Sequence, residues 1–341
     1  MALSSDGRLV ASGSVDGTVR LWEPETGRLR GSLTGHRGVV YGVTFSADGE
    51  ILASGGLDGT VRVWGLENGQ MITNLQAHTG MVLGVALSGD GQLLASVGTD
   101  GFARVWEPKG GQLVATLQGH TGLVYGVALT RDGRIVATGG VDGTVRLWEP
   151  RSGQPLATLL GHSGLIYDLA FSLDGRLLAS GGFDGTVRLW ESSTGQLIAA
   201  LHGHSGAIYS VSLSADGHLV ASSGGDGTVR LWEVAGRRLL ATLYSHTGIV
   251  WGVELSQDGR QVVSGGDDGN VRVWDVKTGA CLRTLSIDRR YQRVDITGLT
   301  GITDAQRSAL LALGAFDSSV KSAAAQHDDL LVDEDVLRQE R

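Results

Sequence analysis

The chain has 341 residues, with 28 lysines and arginines against 36 aspartates and glutamates, a net charge of −8. That balance argues against DNA or RNA as a partner. The lone Cys281 excludes an internal disulfide, and no apolar run approaches the length of a membrane span. Met1-Ala2-Leu3-Ser4-Ser5-Asp6 lacks the basic and apolar pattern of a secretory leader. The expectation is a cytoplasmic protein without membrane contact.

The phrase Asp16-Gly17-Thr18-Val19-Arg20-Leu21-Trp22 returns six more times, lightly edited. Its tryptophan falls at Trp22, Trp64, Trp106, Trp148, Trp190, Trp232 and Trp274, always 42 residues apart. A fixed period of this length means one supersecondary unit stacked many times. In the first unit only Met1–Ser4 remain of the first strand. A matching Gly-His start and a preceding strand are absent.

The second unit is complete. Val39-Val40-Tyr41-Gly42-Val43-Thr44-Phe45-Ser46 reads as a β-branched and aromatic strand. Asp48-Gly49 reads as a two-residue hairpin turn, with both central residues at positive φ. Ile51–Gly55 is a second strand, Asp58-Gly59 a second such turn, and Thr60–Trp64 a third strand. Asn68-Gly69 then turns into Met71–Leu75, the fourth. Four short antiparallel strands form a meander too small to stand alone in water. Radial packing buries both faces and leaves only short edges.

The units differ in three columns. Val40 and Val43 are three apart where strict alternation would be two, which implies a bulge at Tyr41-Gly42; bulges re-aim side chains. The bulge column reads Tyr41, Leu83, Tyr125, Tyr167, Tyr209 and Trp251. Two residues earlier stand Val39, Met81, Leu123, Leu165, Ala207 and Ile249. Before the second-turn aspartate stand Val15, Leu57, Thr99, Val141, Phe183, Gly225 and Asp267. Tyrosine and tryptophan are the usual anchors of binding hot spots.

The 42-residue pattern resembles the WD-repeat β-propeller family. The likeness covers residues 1–285 and rests on Gly35-His36, Gly119-His120, Gly161-His162 and Gly203-His204, the second-turn aspartate, and the tryptophan ending the third strand. Only Trp274-Asp275 keeps the name-giving dipeptide; five copies read Trp-Glu and one reads Trp64-Gly65. The resemblance implies an all-β, seven-bladed propeller over residues 1–286, its first blade truncated at the inner strand. It also implies that the three variable columns face one end of the ring, around the channel mouth. The candidate partner rim is Val39, Tyr41, Leu57, Met81, Leu83, Thr99, Leu123, Tyr125, Leu165, Tyr167, Phe183, Tyr209, Ile249, Trp251 and Asp267.

A His, a Ser or Thr, and an Asp recur in six units, the residue types of nucleophilic catalysis. Six copies are no unique active site. The resemblance implies a structural hydrogen-bond tetrad with the tryptophan instead. The sets are His36, Ser54, Asp58, Trp64; His78, Ser96, Asp100, Trp106; His120, Thr138, Asp142, Trp148; His162, Ser180, Asp184, Trp190; His204, Ser222, Asp226, Trp232; and His246, Ser264, Asp268, Trp274. These histidines lack zinc-ligand spacing, so no metal or other cofactor is expected. His202, His218 and His327 fall outside the period and are expected on the surface. The seven periodic arginines, Arg20 to Arg272, are expected to lie over neighbouring blades near acidic groups such as Glu23.

After Leu285 the period ends. Residues 287–315 form an extension, in which Thr303 and Gln306 read as a capping box opening a helix from Ala305 to Leu313. Its Leu310 and Leu313 could dock on the ring. The stretch Asp295–Ala315 resembles endings of bacterial WD-repeat sensor proteins linked to signalling ATPases. The acidic residues 316–341 are expected to be disordered. No phosphate-binding loop with lysine occurs.

The expected function is a monomeric, non-enzymatic scaffold that binds a protein or peptide; the C-terminal resemblance further implies the sensor end of a bacterial signalling protein. A propeller hydrolase or lyase is the rival. It needs unique polar groups at the mouth, for which Thr99 and Asp267 are the candidates. A lectin-like tyrosine rim is a further alternative.

Overall fold

The computed structural model describes residues 1–244, 246–286, 297–301, 303, 306, 307 and 310. The chain divides into two units, Met1–Ser286 and Ile287–Arg341. The first holds seven four-stranded antiparallel sheets, each built from strands consecutive in sequence. The inner strands are Ala2–Leu3, Val40–Phe45, Val82–Leu87, Val124–Leu129, Ile166–Phe171, Ile208–Leu213 and Val250–Leu255. Each touches its neighbours, and the first touches both the second and the seventh, so the ring closes as a propeller. The last blade ends in its own outer strand, Cys281–Leu285.

The core lies between blades. Val61, Val63 and Leu75 of blade 2 pack against Val82, Val85, Leu94 and Trp106 of blade 3, and the arrangement repeats around the ring. Six periodic tryptophans, Trp64 to Trp274, each plug the interface with the preceding blade. Full burial of each such aliphatic side chain contributes about 1.5–3 kcal/mol, which is why sheets unstable alone hold together.

The turns differ from the expected two-residue hairpins. Leu57-Asp58-Gly59 is a three-residue loop closed by Gly59 N–H to the Gly56 carbonyl at 3.1 Å. Only its glycine has positive φ, at 72°; among the described residues Arg237 is the one non-glycine with positive φ. The aspartate stays at negative φ, where its carboxylate accepts from the Thr60 N–H at 3.2 Å and the Thr60 hydroxyl at 2.7 Å. The first turn is longer, with Ser46 N–H bonded to the Ile51 carbonyl and Asp48 accepting from the Glu50 N–H.

Blade 1 is thinner at one corner. Its inner strand pairs only at Ala2↔Ala11 and Leu3↔Val10, whereas blade 2 pairs from Val40↔Gly56 to Phe45↔Leu52. In the second unit, Thr303 and Gln306 cap reciprocally: Thr303 N–H donates to Gln306 Oε1 at 2.8 Å and Gln306 N–H to Thr303 Oγ1 at 3.2 Å. Gln306, Arg307 and Leu310 are helical. The rest of the expected 305–313 helix, including Leu313, lies outside the described residues, as do His327 and all of 316–341.

Candidate functional site: the channel and its mouth

The tetrads hold the second turn of blades 2 to 7 to the loop before the inner strand. In six blades the tryptophan Nε1–H donates to the Ser or Thr hydroxyl at 2.8–3.0 Å. That hydroxyl lies 2.7–2.9 Å from His Nε2. His Nδ1 lies 2.8–3.0 Å from the aspartate. The hydroxyl-bearing residues are fully buried. Each hydroxyl is already held by an indole and an imidazole, leaving no approach for a substrate. Burial lowers all six histidine pKa values, with the aspartates opposing. Asp58 is brought down to about 2: burial raises it, but the Arg37 N–H, Thr60 and His36 outweigh that. Blade 1 keeps only the bond from Trp22 Nε1–H to Ser12 Oγ, at 3.0 Å. The Asp16 side chain is 41% exposed there, against 11% for Asp58.

The periodic arginines do not reach toward groups such as Glu23. Each pairs with the tetrad aspartate of its own blade, four residues earlier. The residue before the histidine tunes this contact. A Cβ at Gly35, Gly119, Gly161 or Gly203 would sit 2.2–2.9 Å from the arginine Nη1, so glycine leaves room for the guanidinium. In those blades the ion pair is long, 3.5–4.0 Å. Blades 3 and 7 carry Ala77 and Ser245 in that column, and Arg104 and Arg272 close to 2.8 and 2.6 Å.

At the same end of the ring the bulges form where the sequence places them. The register shifts between Val40 and Gly42, between Val124 and Gly126, and likewise in blades 5, 6 and 7. In blade 3 the shift falls across Leu83. The extra residue in each case is the bulge-column residue. Four of them form a continuous arc: Tyr125–Tyr167 centroids lie 5.6 Å apart, Tyr167–Tyr209 4.7 Å and Tyr209–Trp251 4.6 Å. Spacings of this order suit edge and offset ring contacts. Burial raises the Tyr41 hydroxyl pKa, and burial together with Tyr41 and Tyr209 pushes Tyr125 up to about 12. Tyr41, Leu83, Tyr125, Tyr167 and Tyr209 are half-buried, while Trp251 is 40% exposed. Val39, Met81, Leu123, Leu165 and Ile249 are half-buried beside them. Phe183 is 59% exposed and Leu57 40%.

Thr99 and Asp267 do not converge. Thr99 Oγ1 accepts from the Met81 N–H at 2.9 Å within blade 3. Asp267 Oδ2 accepts from the Ile249 N–H at 3.2 Å within blade 7, and its other oxygen takes the Trp251 indole N–H. Both cap loops, and the rival catalytic cluster does not form from them.

Two acidic residues that the sequence reading passed over lie deeper. The residue after each bulge reads Gly42, Gly84, Gly126, Asp168, Ser210 and Gly252; two further on stand Thr44, Ala86, Ala128, Ala170, Ser212 and Glu254. Asp168 Oδ2 accepts from Ser210 Oγ at 2.8 Å and the Val211 N–H at 3.0 Å; Oδ1 accepts from the Leu169 N–H at 2.9 Å. Glu254 Oε1 accepts from Ser212 Oγ at 3.3 Å. Burial raises both carboxyls, Glu254 to about 7, with the Met1 amino group opposing. At the far mouth Leu3, Phe45, Leu129 and Phe171 surround a cavity of about 250 Å³ whose wall includes Glu254. The signal is one acidic residue in each of two columns that otherwise hold glycine, alanine, serine or threonine.

Among the described residues no group of three or more potential metal ligands occurs, and no helix is long and apolar enough to cross a membrane. Cys281 is free and exposed. His202 and His218 are exposed.

No curated protein matches the chain significantly. The WD40 profile, described as WD domain, G-beta repeat, matches seven times, over residues 1–23, 27–65, 69–107, 111–149, 153–191, 195–233 and 237–275. These seven matches cover most of the chain, each after the first spanning the outer strand of one blade and three strands of the next, and the protein belongs to the WD-domain, G-beta repeat family.

Proposed function

We propose that this propeller is a non-catalytic module that binds a protein or peptide across the aromatic arc at the tetrad end of its channel. Propellers of this family are commonly interaction scaffolds. The observation that carries the reading is the unbroken ring contact from Tyr125 through Tyr167 and Tyr209 to Trp251, flanked by exposed Phe183. Rigid aromatic groups grouped around a concave mouth are the usual anchors of an interface. The buried, fully occupied tetrad hydroxyls and the separated Thr99 and Asp267 weigh against a hydrolase or lyase.

The test is direct. Replacing Tyr125, Tyr167 and Tyr209 together by Ser should abolish binding of peptides selected on the parent ring, with the circular dichroism spectrum unchanged. Undiminished binding by the folded triple variant defeats the reading. The likeness of Asp295–Ala315 to bacterial sensor endings supports a further proposal, that the ring is the cytoplasmic sensor of a signalling protein. Finding the gene in other genomes without any adjoining signalling domain would count against it.

A further inference from the structure

The channel changes character around its circumference. On blades 2 to 4 the inner-strand columns below the bulge are glycine, alanine or threonine. On blades 5 to 7 the same columns carry Asp168, Ser210, Ser212 and Glu254. That is also the side on which the arc from Tyr167 to Trp251 lies. At about 3.3 Å per strand residue, Asp168 sits roughly one step below the ring of Tyr167, and Glu254 about 10 Å below Trp251. Rings above and carboxylates beneath therefore share one wall.

The charge there is unbalanced. The periodic arginines are engaged with the tetrad aspartates on the blade flanks. Among the described residues no lysine or arginine forms an ion pair with Asp168, Glu254 or Asp267. The cationic group acting on both Asp168 and Glu254 is the Met1 amino group, whose nitrogen stands 3.4 Å from where a Cβ on Gly252 would be. Two acidic side chains, Asp168 and Glu254, thus face one amine inside, and exposed Asp267 stands at the rim beside Trp251. Asp168 is already held by three donors, so its position is fixed before any ligand arrives. Glu254 accepts a side-chain hydrogen bond from the Ser212 hydroxyl alone among the described residues.

We propose that the mouth admits a basic side chain, lysine or arginine, of a bound peptide, its stem against Tyr167, Tyr209 and Trp251 and its cationic head toward Asp168. A cation is attracted both to the faces of tyrosine and tryptophan and to carboxylates in a partly desolvated wall. A neutral side chain gains neither attraction, and an acidic one passes the Asp267 carboxylate at the rim. The proposal rests on the rim reading and specifies its ligand.

The experiment selects random twelve-residue peptides on the purified chain, then measures synthetic winners by calorimetry at low salt. Winners should share one lysine or arginine. Replacing it with citrulline or norleucine should weaken binding at least tenfold. On the folded Asp168→Asn variant the basic and neutral peptides should bind alike, and Glu254→Gln should narrow the gap between them. Winners that need Tyr167 and Tyr209 but no basic residue would leave the rim reading standing and overturn this one. A basic residue that matters equally in Asp168→Asn and the parent would overturn it as well. Winners indifferent to the rim tyrosines, or no winners at all, would remove both readings. If Asp168→Asn fails to fold, the citrulline comparison and Glu254→Gln decide the matter.

Discussion

Mild acid should unfold this ring, and the tetrad geometry says why. In each set the indole N–H donates to the Ser or Thr oxygen, whose own hydrogen then points to His Nε2, for example at 2.8 Å from Thr138 to His120. This chain of donors requires Nε2 to be unprotonated. A charged imidazole would aim a second N–H at the same buried oxygen and orphan the hydroxyl hydrogen, at a cost of about 1–3 kcal/mol for each unsatisfied group. Burial accordingly holds all six imidazoles below their ordinary pKa, against the pull of the aspartates. Below about pH 6.5 the unfolded chain therefore takes up protons that the folded ring refuses. This stability is fully present above that pH and is lost as the pH falls beneath it. Each histidine neutral when folded and charged when unfolded contributes a slope of about 1.4 kcal/mol per pH unit. Six together approach about 8 kcal/mol per unit, comparable with the whole stability of an ordinary domain. Glu254 works in the opposite sense. Its carboxyl is pushed up to about 7, by burial first, with Asp168 adding and the Met1 amine opposing. Its contribution is present at low pH and lost as the pH rises through about 7, so it offsets roughly one histidine. Urea unfolding followed by circular dichroism at pH 7.5, 6.5 and 5.5 reads the sum. The midpoint should fall steeply with acid, and more steeply in Glu254→Gln. A midpoint that is flat or rises toward pH 5.5 refutes the reasoning.

Other substitutions test single contacts. Trp148, 1% exposed, fills the interface with blade 3, and Trp148→Ala should cost about 3–5 kcal/mol in urea unfolding. Arg237 holds φ at 51° in the turn column where Gly27, Gly69, Gly111, Gly153, Gly195 and Gly279 hold 68–78°. Arg237→Gly should therefore stabilise by about 1 kcal/mol, seen as a higher melting temperature. Among the described residues the buried hydroxyl of Ser223 finds no hydrogen-bond partner, and Ser223→Ala should raise stability by about 1 kcal/mol in the same assay.

Much of the fold is legible because each unit repeats its own instructions. A strand pattern seen once is weak, but Val40-Tyr41-Gly42-Val43 and its five counterparts state the bulge six times. The turns misled because Asp-Gly fits both two- and three-residue loops. What decides is the aspartate's side chain: at negative φ the Asp58 carboxylate reaches the Thr60 N–H and the histidine together. The arginine partners were hidden for a similar reason. Asp58 lies in the turn and Arg62 on the strand that follows, and only the folded loop turns the carboxylate back onto the guanidinium. Asp168 and Glu254 were visible as letters, yet a lone acid on one strand reads as exposed. Their burial exists only after seven inner strands converge, which no single unit encodes.

The thin corner of blade 1 has a mechanical consequence. A closed hoop under load parts at its weakest joint, and here the two-residue inner strand Ala2–Leu3 is all that faces Val250–Leu255 of the last blade, with a half-exposed Asp16 at the same corner. The wheel resembles a split washer, and its first and seventh vanes are where it should yield first under load. A guest pressed into the axle hole would tighten that joint, so occupancy at the hub should slow amide exchange at a distant rim.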